Sequence, residues 1–330
     1  MELSQIEVGV DVDSKYLVCQ RRRSGKIAKK TFTNHPTGHQ QFVDWVSYEG
    51  STTRVCMEST GVYSFLFAAT LHETDRIEVS VVNPRAIKHF AGARLQRGKT
   101  DDLDAATILE YLRCMPFEPW HAPSKNILEL QLLSRRILQL TTESRREISR
   151  RHAALRMGEQ GQFLINDIEV NLRHIKRRIA VVEQQIEQIV ARTAALTRQL
   201  DQLQSITGIA ARSGARLLAE LASLPKDMTA RQWVAYAGLD PRPFESGGTV
   251  KPRRMSKQGN RYLRDGMYMP ALVAIRYDPY VKAYYQHLIG KGKKPKQAIA
   301  AVMRKLLVAI WAMFHNDQDW QPERFYKMTG

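Results

Sequence analysis

The chain has 330 residues with 50 Lys+Arg against 33 Asp+Glu, a formal net charge of +17, and it is 43% hydrophobic and 25% charged. This balance excludes wholesale disorder, and the sequence reads as having no apolar run of about 18 residues to span a membrane and no basic, apolar leader. Three cysteines (Cys19, Cys56, Cys114) without C-x-x-C spacing exclude a disulfide framework or zinc site and fit a reducing cytoplasm, while the excess positive charge points to a polyanion, most economically nucleic acid.

Strands and helices alternate at first. Period-two apolar residues predict a strand over 6–12, then strands over 16–20 and 27–33 around an Arg23-Ser24-Gly25-Lys26 turn. Pro36-Thr37-Gly38 opens a helix whose apolar face is Phe42, Val43, Trp45 and Val46. A strand over 53–57 ends at Glu58, a helix runs through Val62, Phe65, Leu66 and Leu71, and a strand over 77–82 stops at Asn83-Pro84. A helix over about 101–112 closes the unit. Three strands, helix, strand, helix, strand, helix predicts a mixed sheet with helices on its faces.

Pro116, Pro119 and Pro123 mark a boundary. Beyond it, 125–157 shows helical periodicity and Gly158-Glu159-Gln160-Gly161 reads as a bend. On the returning arm Ile168, Leu172, Ile175, Ile179, Val182, Ile186, Ile189, Thr193, Leu196, Leu200 and Leu203 follow a 4,3 spacing without a slip. That is coiled-coil periodicity, and it fits an intramolecular hairpin or a dimer equally. From Gln204 the chain reads as globular, with Ile206-Thr207-Gly208-Ile209 before a helix and a short helix over 233–238. A long basic segment follows, then two apolar helices over 262–274 and 296–314. The predicted domains are 1–118, 119–203 and 204–330.

Four acids carry the first chemical signal. Asp11 sits within a strand and Glu58 ends one, where acids are disfavoured. Asp101 and Asp104 share a helix face, and Asp102 points elsewhere. Such carboxylates are hard oxygen ligands for one or two Mg²⁺ ions in phosphoryl transfer. Read individually, Asp101 and Asp104 also suit a helix N-terminus, and Asp11 and Glu58 suit edge exposure or a salt bridge.

The topology and acids resemble an RNase H-like, RuvC-type nuclease domain. A longer series resembles the DEDD-type insertion-sequence transposases, described as bridge-RNA-guided serine recombinases. It comprises Gly9-Val10-Asp11-Val12, Met57-Glu58-Ser59-Thr60-Gly61-Val62-Tyr63, Val82-Asn83-Pro84 and Lys99-Thr100-Asp101 through Asp104-Ala105. It continues with Ile206-Thr207-Gly208-Ile209, Tyr236-Ala237-Gly238-Leu239-Asp240-Pro241-Arg242, Glu245-Ser246-Gly247-Gly248 and Ser256-Lys257-Gln258-Gly259-Asn260-Arg261-Tyr262-Leu263-Arg264. The order is the family's and nearly the whole chain is covered. The resemblance implies an α/β RNase H-like N-terminal domain, an α-helical coiled-coil middle and a mostly α C-terminal transposase domain.

The resemblance further implies that Asp11, Glu58, Asp101 and Asp104 bind Mg²⁺, and that Ser246 attacks a DNA phosphate and holds one strand as a phosphoserine. Partners implied are donor and target DNA, a non-coding bridge RNA and further copies of the chain as a homodimer or homotetramer, in the cytoplasm at the nucleoid and without a membrane. Residue chemistry supports an interface, since Arg242, Lys251, Arg253, Arg254, Lys257, Arg261 and Arg264 crowd around Ser246. Lys99, Lys293 and Lys294 are further candidate phosphate contacts, and arginines on the first helical arm suit either nucleic acid or solvent. Two other readings are a hydrolytic structure-specific nuclease using the acids alone and a non-catalytic coiled-coil protein that organises nucleic acid.

Overall fold

Alternating burial along the first strands builds a five-stranded sheet in the order β3-β2-β1-β4-β5. The strands are β1 (Gln5–Val12), β2 (Tyr16–Arg23), β3 (Lys26–Thr33), β4 (Thr52–Glu58) and β5 (Ile77–Val82). In this computed structural model the described residues are 5–95, 100–242, 245–246, 249–250 and 254–328. β1, β2 and β3 pair antiparallel, and Ser24 and Gly25, with φ of 48° and 78°, make the two-residue turn of the second hairpin. β4 joins β1 and β5 joins β4 in parallel, through the crossover helices α1 (Pro36–Val46) and α2 (Val62–His72).

Period two sorts each strand's side chains between the two faces. Val8, Val10, Leu17, Val55 and Val79 pack under Phe42 of α1 and Phe67 and Leu71 of α2. On the other face Cys56 meets Ile87 of α3 (Pro84–Ala93) and Ile108 and Leu112 of α4 (Asp101–Cys114). This is the mixed sheet the sequence predicted, compatible with an RNase H-like domain. α3 was not predicted. The Asn83-Pro84 pair is a helix start, with the Asn83 side chain accepting from the Arg85 amide and proline at the first helical position.

The chain divides into two compact units, Met1–Ala122 and Pro123–Gly330. In the second, α5 (Lys125–Ala154) and α6 (Gln162–Ala191) form an antiparallel hairpin around a 3₁₀ turn over Leu155–Gly161, where Gly158 takes φ 59°. Arg151 pairs with Glu169 near the turn, and Asn126 reaches Thr193 at the far end. Ile168, Ile175, Ile186 and Ile189 are buried within the single chain. The heptad run does not stay in one helix, however. Thr193, at φ −130° and ψ 104°, ends it, and α7 (Ala194–Ser205) sends Leu196 and Leu203 into the core of the remaining helices.

Those are α8 (Ala211–Leu221), α9 (Ala230–Tyr236), α10 (Arg261–Tyr277), α11 (Pro279–Gly290), α12 (Pro295–Asn316) and the short α13 (Pro322–Phe325). α11 was unpredicted for the same reason as α3: Asp278 before Pro279 accepts from the Tyr280 and Val281 amides and caps the helix. α12 has 22 residues and mean hydropathy 1.6 over an 18-residue window, enough by length and composition to cross a membrane, although Arg304 and Lys305 interrupt its apolar run. Here it is a core helix, with Val302, Met303, Leu306, Leu307 and Ile310 buried.

Candidate active site

Asp11 and Glu58 come together through strand register. β1 and β4 run parallel with Val10 opposite Met57, so the next pair along is Asp11 and Glu58. Asp11 shares a face with Gly9, and Glu58 with Cys56, which is the face covered by α4. Both carboxylates are half-buried.

Gly9 sets the height of α4. A Cβ there would overlap the Leu109 amide and come within 2.8 Å of the Leu109 Cα, so only glycine lets the helix rest on β1. Gln20, opposite Gly9 on β2, donates to the Asp102 carbonyl at 2.9 Å and ties down the first turn of α4. Thr100 caps that helix, its hydroxyl accepting from the Leu103 amide. Gly9→Ala is expected to cost about 1–3 kcal/mol through overpacking and to displace the first turn of α4. Thermal melting checks it; a variant as stable as the wild type would contradict this packing.

Asp101 is exposed and Asp104 half-buried in that first turn. Asp102 turns away to pair with Lys29 at 3.0 Å. The four expected carboxylates are hard oxygen donors, which suits Mg²⁺ in chemistry, and the register puts Asp11 and Glu58 on the face that α4 covers. Among the described residues, though, no three His, Cys, Asp or Glu side chains close around a point that could hold a metal ion. The thiols beside the acids are inert. Burial, with the Glu58 charge adding to it, pushes Cys56 up to about 12, and burial beside Asp11 raises Cys19 still further.

The segment around Ser246 forms an antiparallel arm in the second unit. β6 (Pro241–Arg242) pairs with β9 (Arg254–Met255), and β7 (Glu245–Ser246) with β8 (Thr249–Val250), Ser246 standing opposite Thr249. Lys99, Lys251 and Arg253 lie outside the described residues. Arg242 and Arg254 are register partners in the β6–β9 ladder.

Two sequence motifs zip together at the arm's root. The Ser256, Lys257 and Asn260 amides donate to the Asp240, Gly238 and Tyr236 carbonyls at 2.9, 3.1 and 2.6 Å. Gly238 and Gly259 take φ of 65° and 146°, and a side chain at Gly259 would collide with the Tyr236 carbonyl. Arg264 donates to the Ala237 carbonyl at 3.0 Å, so its guanidinium braces the root. Lys257 and Arg261 are exposed beside it, and Lys293 and Lys294 are exposed in the turn before α12.

Beneath the root lies a polar network the sequence reading missed. Glu220 of α8, 1% exposed, accepts both nitrogens of Arg135 from α5 at 3.0 Å. It also accepts from Asn260 at 2.6 Å, and Asn260 donates to the Tyr236 hydroxyl at 3.0 Å while capping α10. Burial pushes the Tyr236 phenol up. The signal in the sequence was a lone acid interrupting the apolar run Leu217-Leu218-Ala219-Glu220-Leu221.

A family model described as "Transposase" matches residues 8–157, and a second, "Transposase IS116/IS110/IS902 family", matches residues 200–286. The chain is 29% identical over 296 residues to the pilin gene-inverting protein of Moraxella bovis, covering 87% of this chain and 89% of that one. The pilin gene-inverting protein of Moraxella lacunata gives the same identity and coverage. The insertion element IS110 43.6 kDa protein of Streptomyces coelicolor is 29% identical over 114 residues, 34% of this chain and 28% of that protein.

Proposed function

The chain belongs to the IS110-type family of DEDD insertion-sequence transposases, and on that premise we propose that it cuts, exchanges and rejoins DNA strands through a phosphoserine at Ser246. The observation that carries this reading is the pairing of Asp11 with Glu58 on neighbouring strands, beneath the acidic first turn of α4. A basic protein that keeps such a carboxylate group suits cutting nucleic acid better than coating it.

The family typically uses a divalent metal. Asp11, Glu58, Asp101 and Asp104 would hold one or two Mg²⁺ ions, which neutralise charge on the phosphate oxygens and activate hydroxyl groups. The Ser246 oxygen forms a bond to the DNA phosphorus, the bond to the leaving strand's oxygen breaks, and the serine proton ends on that strand's hydroxyl. Attack by another strand's hydroxyl reverses the exchange and returns the proton to serine. The phosphodiester count is unchanged, so rejoining needs no ATP. In the sequence Ser246 is followed by two glycines, which carry no side chain to obstruct a phosphodiester, and Lys257 and Arg261 supply positive charge in the same segment.

This reading includes composite sites, one subunit's acids serving another's Ser246, in dimers that pair into tetramers. It also includes a bridge RNA that selects donor and target DNA by base pairing. The test is a reporter plasmid carrying the DNA that flanks this reading frame. Ser246→Ala is expected to lower recombinant product by about 10³-fold or more. A Ser246→Ala protein that still cuts DNA at the wild-type rate would instead make water the nucleophile and the chain a hydrolytic nuclease.

A further inference from the structure

The β2–β3 ribbon carries a charge excess that the reading above does not use. Lys15, Arg21, Arg22, Arg23, Lys26, Lys29 and Lys30 fall within sixteen residues, and no Asp or Glu occurs from residue 14 to residue 43. Arg21 and Arg23 are engaged, stacked on Trp45 and Tyr48 at 4.3 and 3.7 Å from the ring centres. Lys29 pairs with Asp102, both more than half exposed, an arrangement worth little against solvent. Among the described residues Lys15, Arg22, Lys26 and Lys30 pair with no carboxylate.

Placement gives this charge a direction. β3 is the sheet's edge and is exposed along most of its length. Register puts Arg22 opposite Glu7 and Lys29 opposite Gln20, which stands opposite Gly9, so Arg22 and Lys29 share the face of Asp11 and Glu58. α4 covers β1 and β2 on that face and leaves β3 bare, with Ile27 58% exposed. From Asp11 to Lys29 is two strands across and two residues along, about 12 Å of backbone, a span of roughly three to four phosphates on one DNA strand. Lysines on an edge strand also discourage sheet-to-sheet pairing, but that role does not account for Arg22 on the interior strand β2.

We infer that the β2–β3 ribbon is a DNA-backbone rail that lays one strand along the sheet edge, with Arg22 and Lys29 on its phosphates, and leads it to Asp11 and Glu58. The inference rests on the proposed DNA-cutting function, and DNA is the committed partner because the ribbon shares its face with the acids assigned to DNA.

The test is fluorescence anisotropy of the full chain with labelled single-stranded DNA, duplex DNA and single-stranded RNA over a KCl series. Arg22→Gln/Lys29→Gln is expected to lower the slope of log K against log salt for DNA by about one to two and to weaken binding at least fivefold at low salt. Arg177→Gln/Arg178→Gln, an equal charge change on exposed α6, is expected to shift the slope less. An unchanged slope for the ribbon variant, an equal loss in the α6 variant, or a loss confined to RNA would each overturn the rail. The reading at Ser246 is tested separately, because Ser246→Ala enters this binding assay with the ribbon intact and is expected to keep the wild-type slope.

Discussion

Asp11→Asn is expected to slow DNA cleavage on the order of 10³-fold while leaving DNA binding and thermal stability close to wild type. Asparagine matches aspartate in shape, and position 11 is half-buried at a strand end, so the substitution removes charge without opening a cavity. Glu58→Gln is expected to do the same from the neighbouring strand. Acids that act as one unit lose most of their effect at the first substitution, so the double variant should be little worse than either single one. Single-turnover cleavage at saturating protein, with Mg²⁺ present, separates this from a binding defect. Activity within tenfold of wild type in both single variants would make these carboxylates structural.

Glu220→Ala is expected to give the largest stability loss. Glu220 is 1% exposed, and its removal leaves the Arg135 guanidinium, 34% exposed at its side chain, without its bidentate partner. Breaking a buried ion pair from one side costs about 3–5 kcal/mol, because the remaining charge stays desolvated. For a unit of this size each kcal/mol lowers the melting midpoint by about 2–4 °C, so a drop of roughly 6–20 °C is expected. Glu220→Gln keeps an acceptor for Asn260 and should fall between the two. Since Asn260 also bonds Tyr236 and caps α10, the same variants should loosen the root of the Ser246 arm. Thermal melting of the full chain checks this, and a midpoint within about 2 °C of wild type for Glu220→Ala would contradict the network's importance.

The first unit was largely legible in the sequence because its signals are local. Period-two apolar spacing gave β1 and β5, and Ser24-Gly25 gave the turn between β2 and β3. Asn83-Pro84 reads as a stop and Asp278-Pro279 carries no predicted element, although each is an N-cap followed by proline, so α3 and α11 went unseen. The heptad pattern through Leu203 has the right spacing for one helix. The helix nevertheless breaks at Thr193, and Leu196 and Leu203 join the same core as Ile186 and Ile189 from a separate helix. Glu220, Arg135 and Asn260 are separated by 40 to 125 positions, and nothing local in a sequence announces that they meet. Asp11 and Glu58 stand out in the sequence because acids within or ending strands contradict strand preference, and the register sets them on neighbouring strands. Arg264 is the opposite case: a cation in a basic segment that the fold uses to brace Ala237.

Covalent trapping tests the central claim most directly. The chain is incubated with end-labelled DNA bearing the flanking sequences, the RNA transcribed from them and Mg²⁺, then denatured. A protein–DNA adduct is expected, with the nucleotide attached to Ser246 by mass spectrometry and no adduct formed by Ser246→Ala. Efficient cleavage with no adduct, or an adduct at a different residue, would contradict the phosphoserine.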